Sequence, residues 1–138
     1  MPVHSGRLEF STEGDGDVID LTAGVESVVR ASGVDTGTVT VFVPGATAAV
    51  TTMEHEPGGV HDLRATLERL VPARSDYKHN RLNHDTNSHA HIRAAIVGPS
   101  ETIPLDGGQL QLGVWQQIVL VDFDDRPRKR TVVVSVVS

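Results

Sequence analysis

Thr38-Val39-Thr40-Val41-Phe42-Val43-Pro44-Gly45 is the stretch whose reading decides the fold. Val39, Val41 and Val43 fall on one side and Thr38, Thr40 and Phe42 on the other, the period of two that a pleated strand imposes. Pro44-Gly45 breaks the strand, and residues 48–53 resume the sheet. On the N-terminal side, residues 7–11 and 18–21 predict two short strands joined as a hairpin by Gly14-Asp15-Gly16-Asp17, residue types that tolerate the left-handed conformations of tight turns. Between these strands and residue 38, Thr22 is a fair N-cap. Val25, Val28 and Val29 then recur at helical spacing until Gly33, which predicts a helix over residues 23–31.

Downstream, residues 54–59 form a polar Pro/Gly loop leading to a second helix. Leu63, Leu67 and Leu70 lie on its apolar stripe, Asp62 suits its positive N-terminal end, and Pro72 terminates it. Residues 73–88 are rich in Arg, Asp, Asn and His without apolar period, and read as a long loop of the kind that often carries function. Strands are predicted over residues 91–97, 109–112, 114–123 and 131–137, separated by Gly98-Pro99, Asp106-Gly107-Gly108 and Asp124-Asp125-Arg126-Pro127. Two helices early and antiparallel strands late imply an α+β layered fold, with residues 1–138 as one domain.

The length of 138 residues is enough to bury roughly two-thirds of the unfolded surface. A formal charge of −6 argues against binding a nucleic-acid backbone, which demands a concentrated positive face. There is no cysteine, so disulfides and thiolate-bound zinc are excluded and a metal would need His and carboxylate ligands. No apolar run approaches the roughly 20 residues that span a bilayer. Met1-Pro2-Val3-His4-Ser5-Gly6 lacks the basic and apolar regions of a signal peptide, so a cytoplasmic location is expected.

The richest chemistry lies in Tyr77-Lys78-His79-Asn80 and His84-Asp85-Thr86-Asn87-Ser88-His89-Ala90-His91. In an extended segment residues two apart project together, so His89 and His91 would present both imidazoles to one ion, with Tyr77 and His79 as a similar pair. Three imidazoles and an open position make a known catalytic zinc arrangement. The competing reading is a solvated polar loop whose histidines satisfy backbone groups or pair with Asp85. Asp85 itself would orient a ligand histidine, act as a base, or merely form an Asx turn.

Weaker signals stand elsewhere. Around Gly98-Pro99-Ser100, main-chain amides and the Ser100 and Thr102 hydroxyls would converge on an anion, although a plain connection between two strands is the more common reason for such a turn. Trp115 and Gln116 would hold a heteroaromatic ligand by stacking and paired hydrogen bonds, or Trp115 would cap the core. Glu54, where a strand meets a loop, would reach a site or remain an exposed charge. Arg126, Arg128, Lys129 and Arg130 suit phosphate or carboxylate recognition; the alternative is surface pairing with Asp122, Asp124 and Asp125.

Taken in order, Val41-Phe42-Val43-Pro44, Thr51-Thr52-Met53-Glu54, Tyr77-Lys78-His79, His89-Ala90-His91-Ile92-Arg93-Ala94, Gly98-Pro99-Ser100, Leu112-Gly113-Val114-Trp115-Gln116 and Arg126-Pro127-Arg128 span nearly the whole chain. On these motifs the chain resembles the YjbQ-like family, whose members are often labelled secondary thiamine-phosphate synthase enzymes. The resemblance implies a small α+β sandwich of mainly antiparallel sheet with two main helices, assembled as a homotrimer, with a divalent metal, zinc or magnesium, or an anion at clustered histidines. It implies His79, His89 and His91 as metal ligands, Asp85 and Glu54 as acidic catalytic positions, and Ser100, Trp115, Gln116 and Arg128 as residues binding a phosphorylated small-molecule substrate. The implied activity joins a pyrimidinylmethyl diphosphate to a thiazole phosphate. A metal-dependent hydrolase of a phosphorylated small molecule and a non-catalytic trimer that sequesters a metal or metabolite are the alternatives. One departure is visible: many members carry a histidine directly after the Pro of the Val-Phe-Val-Pro strand, where this chain has Gly45.

Overall fold

The computed structural model describes residues 3–138. Two antiparallel sheets and four helices make up the α+β architecture. The five-stranded sheet has the order β1 (Val3–Thr12), β8 (Arg128–Val137), β3 (Gly37–Phe42), β5 (Ser100–Asp106), β6 (Gln109–Leu110). The three-stranded sheet has β7 (Gln117–Asp122) between β2 (Asp17–Asp20) and β4 (Ala48–Met53).

The alternation that predicted β3 is the packing pattern: Val39 and Val41 are fully buried while Phe42 is exposed. They meet Val132, Val134 and Val136 of β8, Ile118 and Leu120 of β7, and Val25, Val28 and Val29 of α1 (Thr22–Ser32) in one core. β7 is apolar at successive positions because both its faces are covered. Val119 and Val121 point the other way, into a second cluster with Leu67 of α2 (Pro57–Leu70) and Ala90 and Ala94 of α4 (Ser88–Val97). The three-stranded sheet is thus the middle layer of a sandwich with the larger sheet on one side and helices on the other. Among the described residues no helix is long and apolar enough to cross a membrane.

Several expectations change. The first two strands are not a hairpin: β1 pairs along its length with β8 and β2 pairs with β7, so the Gly14–Asp17 turn crosses between sheets. Thr22 begins α1 without capping it; its hydroxyl accepts the Ile118 N–H at 3.0 Å. Gly33 does end the helix, in the left-handed region at φ 68°. In α2 the N-cap is Glu56, whose carboxylate accepts the Gly58 and Gly59 N–H groups, and Leu70 is 71% exposed, off the buried stripe. Ser100–Asp106 is a strand that Pro104 hid, its Ile103 and Leu105 buried and their neighbours not. Residues 114–116 precede β7 as a turn rather than extending it.

Two corrections bear on function. The long loop contains a short helix, α3 (Lys78–Asn83), and residues 88–97 form α4 where a strand over 91–97 is expected. Periodicity over so short an apolar run does not separate the two states. The deciding signal is the spacing of Ala90, Arg93, Ala94 and Val97, a helical stripe that packs on the middle sheet. The acid–base cluster is likewise not at the surface. Asp122 and Asp124 are fully buried, and Arg130 is 10% exposed between them.

Candidate functional site

Because α4 is a helix, its two histidines cannot face the same way: positions two apart stand roughly 200° apart around the axis. His89 is turned inward and 4% exposed, whereas His91 lies on a different side. There the His91 ring comes within 4.8 Å of the His79 ring from α3, centroid to centroid, at an interplanar angle of 54°.

Both rings are held by their Nδ1 atoms. His91 Nδ1 lies 3.1 Å from the Ala46 carbonyl oxygen, an obligate acceptor, so it is the protonated nitrogen. His79 Nδ1 lies 3.2 Å from Asn80 Oδ1, and the same oxygen accepts the Ser88 N–H at 3.0 Å, tying α3 to the first turn of α4. Each imidazole is therefore oriented from behind, with Nε2 left for a ligand. Tyr77, expected beside His79, instead donates its hydroxyl to the Pro72 carbonyl at 2.6 Å.

His89 belongs to a different concavity, a cleft of about 530 Å³ whose walls include Asp15, Arg74, Asp85, Thr86 and Asp125. Asp85 Oδ1 accepts the Thr86 N–H at 2.8 Å, a contact with the next residue rather than the amide two residues on that an Asx turn would use. Burial, with the Arg93 charge adding to it, pushes the His89 imidazole below its ordinary value, and its Nδ1 has no hydrogen-bond partner. The Arg93 guanidinium is itself committed, donating to the Val71 carbonyl and, at 2.7 Å, to Glu68. A wider groove of about 700 Å³ along α2 is bordered by Asp15, His55, Arg64 and Arg93. Its basic groups are taken: Arg64 by the Asp15 carbonyl and His55 by the Val18 carbonyl.

The other expected site residues are dispersed. Glu54 is exposed and lies on neither the His79–His91 pair nor the His89 cleft. Ser100 opens β5 opposite Phe42. Trp115 is 72% exposed rather than a core cap, and Gln116 is spent holding its own loop, donating to Thr52 and accepting from Gly113. Arg128 is paired with Asp124 at 2.7 Å. Arg74, Asp15 and Asp125 escaped notice as site residues; only Arg74, in the polar stretch after Pro72, carried a local signal, because Asp15 and Asp125 reach the cleft through the fold.

For a divalent metal the fit is incomplete. The His79–His91 pair has the right donors, each backed by an oxygen acceptor, but among the described residues no three of His, Cys, Asp or Glu come together to hold an ion. Gly45, on the turn that anchors His91, adopts φ 122°, and a Cβ there would stand 2.9 Å from Arg130 Nη1. With Arg130 pinned to Asp122 and Thr47, a third imidazole at that position has no room without rearrangement.

The comparison with known proteins agrees with this architecture. The model of a family described as UPF0047 protein YjbQ-like matches residues 6–138. The chain belongs to this YjbQ-like family. A UPF0047 protein of Methanothermobacter thermautotrophicus is 35% identical, the match covering 99% of this chain and 93% of that protein. One from Archaeoglobus fulgidus is 39% identical, covering 94% and 98%. A crystal structure of a YbjQ-like protein of unknown function from Sulfolobus solfataricus superposes with a TM-score of 0.93 at 32% identity, covering 98% of this chain and 96% of that one. A hypothetical protein from Aeropyrum pernix gives 0.90 at 36%, covering 97% and 98%. The α+β sandwich is therefore the YjbQ-like fold, and the α3–α4 helices that hold the histidines are part of the region matched.

Proposed function

We propose that the His79–His91 pair binds the phosphate of a small phosphorylated substrate, and that the protein is a transferase of the thiamine-phosphate synthase type. The observation that carries this reading is the paired rings, 4.8 Å apart, each with Nδ1 occupied by an oxygen acceptor. Their Nε2 atoms are left for the phosphate, where an imidazole nitrogen accepts from a phosphate O–H or, when it carries a proton, donates to a phosphate oxygen. In the reaction the thiazole-phosphate nitrogen forms a bond to the pyrimidinylmethyl carbon, and the carbon–oxygen bond breaks with its electron pair leaving on diphosphate. Charge develops on both fragments, so catalysis needs preorganised groups of both signs. In this reading the histidine pair meets the departing diphosphate, and Asp85, in the neighbouring cleft with Arg74, is the carboxylate for the forming cation.

The proposal includes a homotrimer. Trp115, exposed on its own subunit, is then free to offer a flat face to the substrate of the next. Zinc or magnesium would find two imidazole donors in one subunit and would need further ligands from outside that pair, so no step is assigned to a metal.

Incubation of the purified protein with both half-molecules, with Mg²⁺ or Zn²⁺ supplied and mass spectrometry of the products, tests the reading. Thiamine phosphate should form with wild-type protein and not with Asp85→Ala of unchanged circular dichroism. Absence of any coupled product from wild-type protein removes the synthase assignment. Release of phosphate from one half alone would point to the hydrolase alternative instead.

A further inference from the structure

β1 stands at the edge of the five-stranded sheet. It pairs with β8 along one side, and among the described residues no other group bonds the main chain of this ten-residue strand. A row of unpaired N–H and C=O groups is a template for another strand, and proteins usually shorten, charge or cover such an edge. The other three edges are treated in that way. β6 has two residues, β2 has four with Asp17 and Asp20 among them, and β4 gives its Val50 N–H to the Gly98 carbonyl. β1 is long, and its exposed charges, Arg7 and Glu9, are of opposite sign.

The order of residues along β1 is complementary to itself. In an antiparallel pair about a two-fold axis at Leu8, Arg7 of each copy stands opposite Glu9 of the other on the exposed face, a favourable cross-strand pair made twice by symmetry. On the inner face Phe10 stands opposite Gly6, where an aromatic ring covers the gap that a glycine leaves in a sheet. Moving the axis to Arg7 or to Glu9 would oppose like charges, so one register is selected. Helix α1 leaves room for the second copy. It lies over β1, with Gly24 against Leu8 and Val28 against Gly6. Its exposed Ala23, Ser27 and Ala31 form a stripe of small side chains. Two such helices can lie side by side over the joined sheet at the ordinary spacing of about 8 to 10 Å.

We propose that β1 pairs with β1 of a second copy of this chain, antiparallel about a two-fold axis at Leu8, joining the two five-stranded sheets into one. Main-chain hydrogen bonds and the Leu8 and Phe10 contacts supply the affinity, while the exposed Arg7–Glu9 pairs, each weak, fix the register. The contact is the same patch on both chains, so it closes on two copies, or joins two of the proposed trimers into a hexamer. It does not rest on the phosphate-binding reading.

Sedimentation of the full chain over a range of concentrations reads this contact. The wild-type mass should rise to an even number of chains. Glu9→Arg, which sets Arg against Arg, should weaken that step by about tenfold, and Arg7→Glu likewise. The double exchange Arg7→Glu with Glu9→Arg should restore it, because the charges match again. The chain has no cysteine, so Leu8→Cys with oxidised glutathione supplied should give a disulfide-linked pair of chains. Opposed Cα atoms of an antiparallel ladder stand about 4.5 to 5.5 Å apart, within disulfide reach. Ser5→Cys and Ser11→Cys, both on the exposed face, serve if the change at Leu8 disturbs the packing under α1. Each should stay unlinked alone, and the two mixed should link. A mass of one or three chains at every concentration, a double exchange as weakly associated as either single one, or no linkage in these cysteine variants overturns the pairing.

Discussion

The Asp122 carboxylate accepts two parallel hydrogen bonds from the Arg130 guanidinium, Nε to Oδ2 at 2.7 Å and Nη2 to Oδ1 at 2.9 Å. The two residues belong to β7 and β8, so the pair fastens the three-stranded sheet to the five-stranded one. The hydroxyl of Thr12, from β1, adds a third bond to Oδ2 at 2.6 Å. Arg130's own hydrogen bond to Asp122 holds its guanidinium above its ordinary value, against the opposing effect of burial.

Removing one partner leaves the other charge buried and unpaired. Arg130→Met should therefore cost about 3 to 5 kcal/mol of stability, read from urea unfolding. Adding Asp122→Leu to it should recover part of that loss. A double variant as unstable as the sum of the two single ones would show that the pair is not coupled.

Acid should loosen the same corner. Burial opposes the charged form of Asp124, but hydrogen bonds from Arg128, the Asp125 N–H and Thr47 outweigh it and hold the carboxyl at about 2, down from 3.8. A group depressed in the folded state contributes stability above its unfolded value, and that contribution is lost as pH falls through the folded one. Thermal melts should show an Asp124-dependent loss of stability between roughly pH 4 and pH 2. In Asp124→Asn the slope over that window should flatten; an unaltered slope would exclude this carboxyl as its source.

The histidine pair gives a prediction that a purely structural role does not. His79→Ala and His91→Ala should each lower inorganic phosphate affinity by about tenfold, as expected when one hydrogen bond to the ligand is lost. Circular dichroism should be unchanged, since neither ring is in the apolar core. Full phosphate affinity and metal content in both variants would separate these rings from any ligand.

Gly14 turns the chain from one sheet to the other at φ 81°, and a Cβ there would stand 2.6 Å from the Asp124 carbonyl oxygen. Gly14→Ala combines a strained backbone with a clash against main chain, and should destabilise by about 2 kcal/mol or more. Gly98→Ala meets nothing within 4 Å and carries only the strain of its φ of 97°, so it should cost less. Unfolding midpoints of equal height would show that the Gly14 clash relaxes freely.

Assembly can be followed with the single tryptophan. Trp115 is 72% and Val114 86% exposed on one subunit, a prominent apolar tip on the turn before β7. If the proposed trimer covers this tip, acrylamide quenching of Trp115 should fall as protein concentration rises, and Val114→Ser should lower the sedimenting mass. Strong quenching in a stable trimer would place the interface elsewhere.

Much of the sandwich was legible because Val39, Val41 and Val43 alternate so strictly, and because Val25, Val28 and Val29 repeat at helical spacing before a glycine. α4 was not legible in the same way: His-Ala-His-Ile-Arg-Ala-Ala-Ile-Val supports either period, and the extended reading placed His89 with His91. Asp122 and Asp124 were read as surface charges since acidic residues are seldom fully buried. Their burial depends on arginines and threonines that come from three other segments.

From the order of its residues alone, the chain determined most of its strands, its first two helices and its family, because side-chain period and turn chemistry act between near neighbours. Which imidazoles share a surface was decided only in three dimensions. The helical twist of α4 sends His89 into an acidic cleft and His91 toward His79, and Asp15 and Asp125 join that cleft by packing, a relationship that no local pattern encodes.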